Sequence, residues 1–352
     1  MSKKIFHPFH LSGLWRAGNA MQPIPNNVKL LRHDPENAAF YLAKVKEDGS
    51  YDPEWKVLVF TDLHFDSFDN VGPRTAAELV AAIEREQPDF IGLLGDVTLV
   101  TFDQLRTRHF VRLMTKTSLY WTAVLGNHEG EPPLSVTQQG TVRAYLKSPK
   151  ACVQYAMPGV AGWGNQVIHL MADENRIAQS LYFMDSGGRN QMGKLTKGKY
   201  TLRDSHPHIQ ASQTAWYERA LAAARAQYGD MKSMILMHMP VWDYREAWAL
   251  TEKGELPLLW EQHGESICAD HTPDRNGGLP DKARELGSTW AFVCGHDHAN
   301  DYAVDYKGLR LIYNRPGGFA TMCMGDNVRQ GYTRYSIHRD GKVDLENISY
   351  NK

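Results

Sequence analysis

Trp290-Ala291-Phe292-Val293-Cys294-Gly295-His296-Asp297-His298 is the stretch from which the rest of this chain can be read. Its first five residues are an apolar run, the pattern of a short buried strand. Side chains two apart in an extended segment point to the same side, so His296 and His298 can face one point beyond the strand end. Two imidazoles aimed at one point form a metal-ligand arrangement. A His-x-His pair on a surface loop is also common as plain solvated polar residues. The pair carries chemistry only if other strands end in the same way.

They do. Lys56-Val57-Leu58-Val59-Phe60 is an apolar strand running into Thr61-Asp62-Leu63-His64. A helical pattern (Ala76, Leu79, Val80, Ile83) starts around Pro73 and should stop near Gln87-Pro88. Phe90-Ile91-Gly92-Leu93-Leu94 then ends in Gly95-Asp96, and a second helix is expected over roughly Asp103 to Lys116. Leu119 to Leu125 ends in Gly126-Asn127-His128-Glu129. Strand, helix, strand, helix, strand is the rhythm of a parallel sheet, whose binding crevice lies beyond the carboxyl ends of its strands. Further on, Ser233 to Met237 reads as a strand delivering His238 before Pro240.

Five strand ends therefore present Asp62 with His64, Asp96, Asn127 with His128, His238, and His296 with His298. Each alone has an ordinary explanation. An Asp after a strand caps a helix, Asn-His makes a turn, and a lone His is a partly buried polar residue. Five at the same edge of their strands point to one site. Carboxylate, amide and imidazole donors without a thiolate suit divalent or trivalent first-row metals. Seven ligands are too many for one tetrahedral ion but suit two ions sharing a carboxylate. Two such ions about 3.5–4 Å apart can hold a bridging hydroxide and clamp both oxygens of an in-line displacement at phosphorus. They also lower the pKa of bound water towards roughly 7.

With these motifs in hand, the chain resembles the calcineurin-like metallophosphoesterases. Their ordered signature is Asp-x-His, Gly-Asp, Gly-Asn-His-Asp/Glu, a His after a strand, and Gly-His-x-His, and all five elements stand between residues 62 and 298. The resemblance implies an α/β fold, a four-layer αββα sandwich of two mixed β-sheets flanked by helices, with a binuclear site at the sheet edges. Carried over by position, it implies one metal on Asp62, His64, Asp96 and His298. The other would take Asp96, Asn127, His238 and His296, with Asp96 bridging. His128 would be the catalytic residue, stabilising the phosphoryl oxygens or protonating the leaving group. The cofactors implied are two divalent or trivalent first-row ions, with Mn, Fe or Zn expected.

A closer resemblance is to the intracellular branch of purple-acid-phosphatase-like proteins. It rests on Tyr182-Phe183-Met184-Asp185-Ser186-Gly187, Gln213 with Trp216, and Gly295-His296-Asp297-His298-Ala299-Asn300-Asp301-Tyr302. The chain departs from true purple acid phosphatases in having His64 where they have Gly and Leu99 where they have a ligand Tyr. Many relatives carry a carboxylate at position 99 that orients the histidine equivalent to His128. Leu99 cannot, which leaves Asp103 and Glu129 as candidates for orienting it.

Composition frames this reading. Of 352 residues, 42% are hydrophobic and 22% charged, the balance of a globular protein with a substantial core. Thirty-nine basic against 40 acidic residues leave a net charge of −1, so no global field favours nucleic acid or an anionic membrane. The four cysteines are scattered with no Cys-x-x-Cys pair, which suits a reducing compartment. No stretch approaches the ~18 apolar residues of a membrane span, and no apolar run follows Lys3 and Lys4 as in a secretion signal. A cytoplasmic protein is expected.

The remaining segments are expected to support that site. Residues 1–54 read as a lead-in, with a peripheral strand or hairpin over Ala38 to Lys46, and residues 55–352 as the catalytic domain. Gln166 to Met171 and Leu181 to Met184 read as strands and Gln210 to Tyr228 as a helix. Residues 187–208 read as a loop with four Gly and five basic residues (Arg189, Lys194, Lys197, Lys199, Arg203), able to close over an anionic substrate as a lid. Residues 263–280 read as a surface excursion. Leu309 to Tyr313, Tyr332 to His338 and Lys342 to Ile348 read as strands, the last two joined at Asp340-Gly341.

The expected function is hydrolysis of a phosphate monoester, with a phosphorylated small molecule or phosphoprotein as substrate. A phosphodiesterase or nuclease would use the same metals, and a third reading is a metal-binding scaffold without catalysis.

Overall fold

The computed structural model describes residues 11–65, 71–98, 103–129, 137–187, 194–196, 199–201, 209–260, 276–319 and 329–350. The chain opens with helix α1 (Leu11–Ala20) and strands β1 (Val28–Asp34), β2 (Ala39–Val45) and β3 (Tyr51–Asp52). The expected alternation follows: β4 (Trp55–Phe60), α2 (Val71–Glu86), β5 (Phe90–Leu94), α3 (Asp103–Thr117) and β6 (Tyr120–Val124). After α4 (Gln138–Tyr145) come β7 (Gln166–Asp173), β8 (Arg176–Met184), β9 (Lys194–Thr196) and β10 (Lys199–Thr201). Next are α5 (Ala211–Tyr228), β11 (Ser233–Met237), α6 (Trp242–Glu252), α7 (Leu279–Leu286) and β12 (Thr289–Cys294). The described chain closes with β13 (Ala303–Tyr306), β14 (Leu309–Tyr313), β15 (Gly331–Ile337) and β16 (Val343–Ser349).

Two mixed sheets result. The smaller has the order β16-β15-β4-β5-β6, with β4, β5 and β6 parallel and β15 antiparallel to β4. The larger follows the path β1-β2-β7-β8-β11-β12-β14-β13, with β3 on β2. Its centre, β8-β11-β12-β14, is parallel.

The strand period of two sorts the apolar side chains into layers. Trp55, Val57 and Val59 of β4 meet Ile168, Leu170, Met234, Leu236, Ala291 and Val293 of the larger sheet in the core between the sheets. The alternate residues Leu58 and Phe60 face Leu79 and Ile83 of α2 and Phe110 and Met114 of α3. On the far side of the larger sheet, Ile235, Met237 and Phe292 pack on Trp216, Tyr217 and Leu221 of α5. Central strands buried on both faces must be apolar throughout, which is why they read as continuous runs. This is the four-layer αββα sandwich, and it turns the carboxyl ends of β4, β5, β6, β11 and β12 towards a common edge.

Three segments differ from expectation. The strand at Ala39–Val45 is internal, flanked by β1 and β7, because its apolar residues serve two cores. Within the expected loop 187–208, β9 and β10 pair as a short antiparallel hairpin. Residues 263–275 of the expected surface excursion (263–280) lie outside the described residues, and from Leu279 the chain is helical. Among the described residues no helix is long and apolar enough to cross a membrane.

Candidate metal centre

Two groups of donor side chains meet at that edge. Asp62 and His64 after β4, Asp96 after β5 and His298 after β12 form the first. Asp96, His238 after β11 and His296 after β12 form the second. Within each group the donor atoms lie within 4.8 Å of one another. Asn127, after β6, joins the second group, its Oδ1 lying 3.0 Å from His238 Nε2. Asp96 is the member common to both. Its Oδ2 lies 3.8 Å from His64 Nε2 and 3.2 Å from His238 Nε2.

Nitrogen and oxygen donor atoms converge here at distances of about 3 Å, which need a proton or a cation between them. His64 Nε2 lies 2.8 Å from His298 Nε2, which lies 3.1 Å from Asp62 Oδ1. His296 Nδ1 lies 3.3 Å from His238 Nε2. A proton can bridge one such pair. Two whole groups of carboxylate, imidazole and amide donors fit two first-row cations.

The local backbone explains how short loops deliver these groups. Asp62, His64, Asp96 and His296 have φ of 54°, 45°, 50° and 75°, in the left-handed region. Such a conformation costs an L-residue about 1–2 kcal/mol and persists only where surroundings over-determine it. Here the His64 N–H donates to Asp96 O at 2.9 Å, and the N–H groups of Gly317 and Gly318 donate to Thr61 O and Asp62 O. Two glycines are required by close approach. A Cβ at Gly126 would lie 2.1 Å from Asp96 Oδ1, and one at Gly295 would lie 1.9 Å from Thr61 Oγ1.

Neighbouring donors aim each ligand. Thr61 Oγ1 and the His296 N–H both donate to Asp62 Oδ2, at 2.6 and 3.0 Å, leaving Oδ1 for the first group. The His128 N–H donates to Asp96 Oδ1 at 2.9 Å, leaving Oδ2 between the groups. His238 Nδ1 donates to Leu94 O at 2.7 Å, which directs Nε2 into the site. The Met239 N–H beside it is held by Ser186 Oγ at 2.8 Å.

The buried carboxylates and imidazoles act strongly on one another. Burial alone would raise Asp96, but the His238 and His128 imidazoles outweigh it and hold the carboxyl far below its usual range. Burial also opposes ionisation of Asp62, and His298 beside it reverses the balance. Burial pushes His64 down. For His238, burial is overcome by the Asp96 carboxylate, which lifts the imidazole to about 10.

His128 stands at the rim. Its Nε2 is 3.9 Å from Asp96 Oδ2, its ring is edge-on to His64 at 5.2 Å, and its side chain is 19% exposed. Of the candidates for orienting it, Leu99 and the side chain of Asp103 lie outside the described residues. Glu129 is engaged elsewhere, since it is buried and accepts four backbone N–H groups. Burial and the Asp96 charge push its carboxyl up to about 7, against the pull of those donors. The side chains of the basic residues of 187–208 also lie outside the described residues.

Sequence reasoning gave no role to one buried carboxylate within the last motif. Asp297, between His296 and His298, accepts from Tyr313 Oη at 2.7 Å, and burial raises it to about 6. Beside it, Asp301 forms a buried ion pair with Arg315. An acid inside a ligand motif that has no place in the ligand set was the available signal.

The sequence profile of the calcineurin-like phosphoesterase family matches residues 56–313, spanning every one of these strand ends. This chain is a calcineurin-like phosphoesterase. Its relatives include the Arabidopsis thaliana protein named "Probable inactive purple acid phosphatase 29", 25% identical over 311 residues, 78% of this chain and 74% of that one. Human tartrate-resistant acid phosphatase type 5 is 22% identical over 273 residues, 74% of this chain and 71% of that one. A solved dimetal phosphatase from Danio rerio shares the phosphoesterase fold, with a TM-score of 0.53 at 14% identity over 85% of this chain and 97% of that one.

Proposed function

We propose that this phosphoesterase hydrolyses phosphate monoesters using two first-row cations. The observation that carries the reading is Asp96 Oδ2, which faces His64 on one side and His238 on the other. One cation would be held by Asp62, His64, Asp96 and His298, the other by Asp96, Asn127, His238 and His296. Mn, Fe or Zn suit these donors. Such a pair supplies a nucleophile at neutral pH and positive charge opposite the phosphoryl oxygens.

His128 is the acid for the leaving oxygen. His64 and His238 are buried, whereas His128 reaches from the bridging carboxylate towards solvent, where a substrate arrives. A monoester is largely a dianion at pH 7 and gains most from added positive charge, which the basic stretch 187–208 can contribute. A phosphorylated small molecule or a phosphoprotein fits better than nucleic acid, given the net charge of −1. Cys152 and Cys294 are free thiols, which supports a reducing compartment such as the cytoplasm.

The word "inactive" in the name of the Arabidopsis relative raises the alternative of a scaffold without turnover. Against it, His128 and all seven expected metal-ligand positions are present here. The test is a panel of monoesters and diesters assayed with Mn, Fe, Zn and Mg. Monoester turnover abolished by chelation supports the proposal. A better rate on diesters replaces it with a phosphodiesterase, and metal uptake without turnover on any ester replaces it with a scaffold.

A further inference from the structure

The loops after β5 and β6 are locked to each other through one side chain that binds no cation. Glu129 Oε2 accepts the N–H of Asp96 at 2.9 Å and of Gly126 at 2.7 Å. Its Oε1 accepts the N–H of Val97 at 2.7 Å and of Thr98 at 3.2 Å. Three consecutive amides of one loop and one amide of the other thus converge on a single buried carboxylate. The lock is reciprocal, because Asp96 Oδ1 accepts the His128 N–H at 2.9 Å. Asp96 is also one of the left-handed residues, at φ 50°, a conformation that its loop does not favour unaided.

We propose that Glu129 is a positioning residue that sets the Asp96 carboxylate between the two cation sites. The assignment rests on the two-cation reading of the site. Four N–H donors demand two oxygens that both accept, so a carboxylate satisfies them and a carboxamide cannot. Whichever way a glutamine is turned, its NH₂ faces two backbone N–H groups. Length matters less, since a shortened carboxylate keeps both acceptors and loses only reach. Positioning therefore gives Glu129→Asp the milder effect and Glu129→Gln the severe one. A residue that merely fills space gives the reverse order, because glutamine is isosteric and aspartate leaves a cavity.

The experiment titrates Mn²⁺ and Zn²⁺ into chelator-stripped wild type, Glu129→Asp and Glu129→Gln. Amide hydrogen exchange is followed in parallel over residues 94–98 and 124–128. The expected result is a 10–100-fold weaker affinity at both sites for Glu129→Gln, with a smaller loss for Glu129→Asp. Exchange should rise selectively in those two segments for the glutamine variant, with or without metal. Wild-type affinity in Glu129→Gln overturns the proposal. So does loss of protection throughout the chain in both variants, which would make Glu129 an ordinary structural residue. If the wild type itself takes up no metal, the two-cation reading fails instead, and the exchange order of the variants still decides whether Glu129 sets the Asp96 loop.

Discussion

The Nε2 atoms of His64, in the loop after β4, and His298, in the loop after β12, stand 2.8 Å apart, with Asp96 Oδ2 3.8 Å from the first. Two imidazoles in that relation need a cation or a proton between them. The same carboxylate oxygen approaches His238 on its other side. Elemental analysis of the purified protein should find up to two first-row ions per chain. Asp96→Asn should weaken both, since a neutral amide offers one acceptor oxygen where the bridge needs charge. One tightly held ion, indifferent to that change, would falsify the shared-carboxylate arrangement. Unfolding should be linked to metal, with about 2.7 kcal/mol of added stability at free ion one hundred times the Kd.

His128 lies beside the donor groups without belonging to either, so binding and chemistry should separate there. His128→Ala should keep its metals and lose turnover by about 10²–10⁴-fold on esters with poor leaving groups. The loss should shrink for nitrophenyl esters, which need little protonation. An equal loss across leaving groups would leave His128 only an electrostatic part.

Tyr313 supplies the hydroxyl that satisfies buried Asp297 between His296 and His298 in the loop after β12. Tyr313→Phe removes the donor and little else. Unfolding in denaturant should show a cost of about 1–3 kcal/mol, the usual cost of an unsatisfied buried polar group. Metal affinity should fall as well, because the same loop carries His296 and His298. Unchanged stability would mean that Asp297 finds another donor.

His169 offers a pH test remote from the metal centre. It is buried against Tyr41 and 2.8 Å from Ser180 Oγ, and burial, helped by the Arg32 charge, depresses it to about 3. A histidine held neutral in the folded state adds no pH dependence above its unfolded pKa of about 6.5. Below that value the unfolded chain takes up a proton that the folded chain refuses, so stability falls with pH until about 3. Between pH 7.5 and pH 5 the wild type should lose about 2 kcal/mol more than His169→Gln, as read from denaturant unfolding. Identical slopes for the two proteins would show that folded His169 takes up its proton over the same pH range as the unfolded chain.

The central strands and the residues at their ends were legible in the chain alone. β4, β5, β6, β11 and β12 are buried on both faces, so each is a continuous apolar run, and each run stops at an Asp, Asn or His. Both signals are local and need no knowledge of partners. Helix α6 and the β9–β10 hairpin went unread because a short helix and three-residue strands leave almost no periodic trace. How the ligands are held came from tertiary packing. Glu129 reaches amides about 30 residues away, Asp297 meets Tyr313 across β12 and β14, and the left-handed turns at Asp62, His64, Asp96 and His296 exist because neighbouring loops impose them. Hydrogen bonds between loops distant in sequence depend on the packing of the two sheets, and no spacing within a single strand encodes that packing.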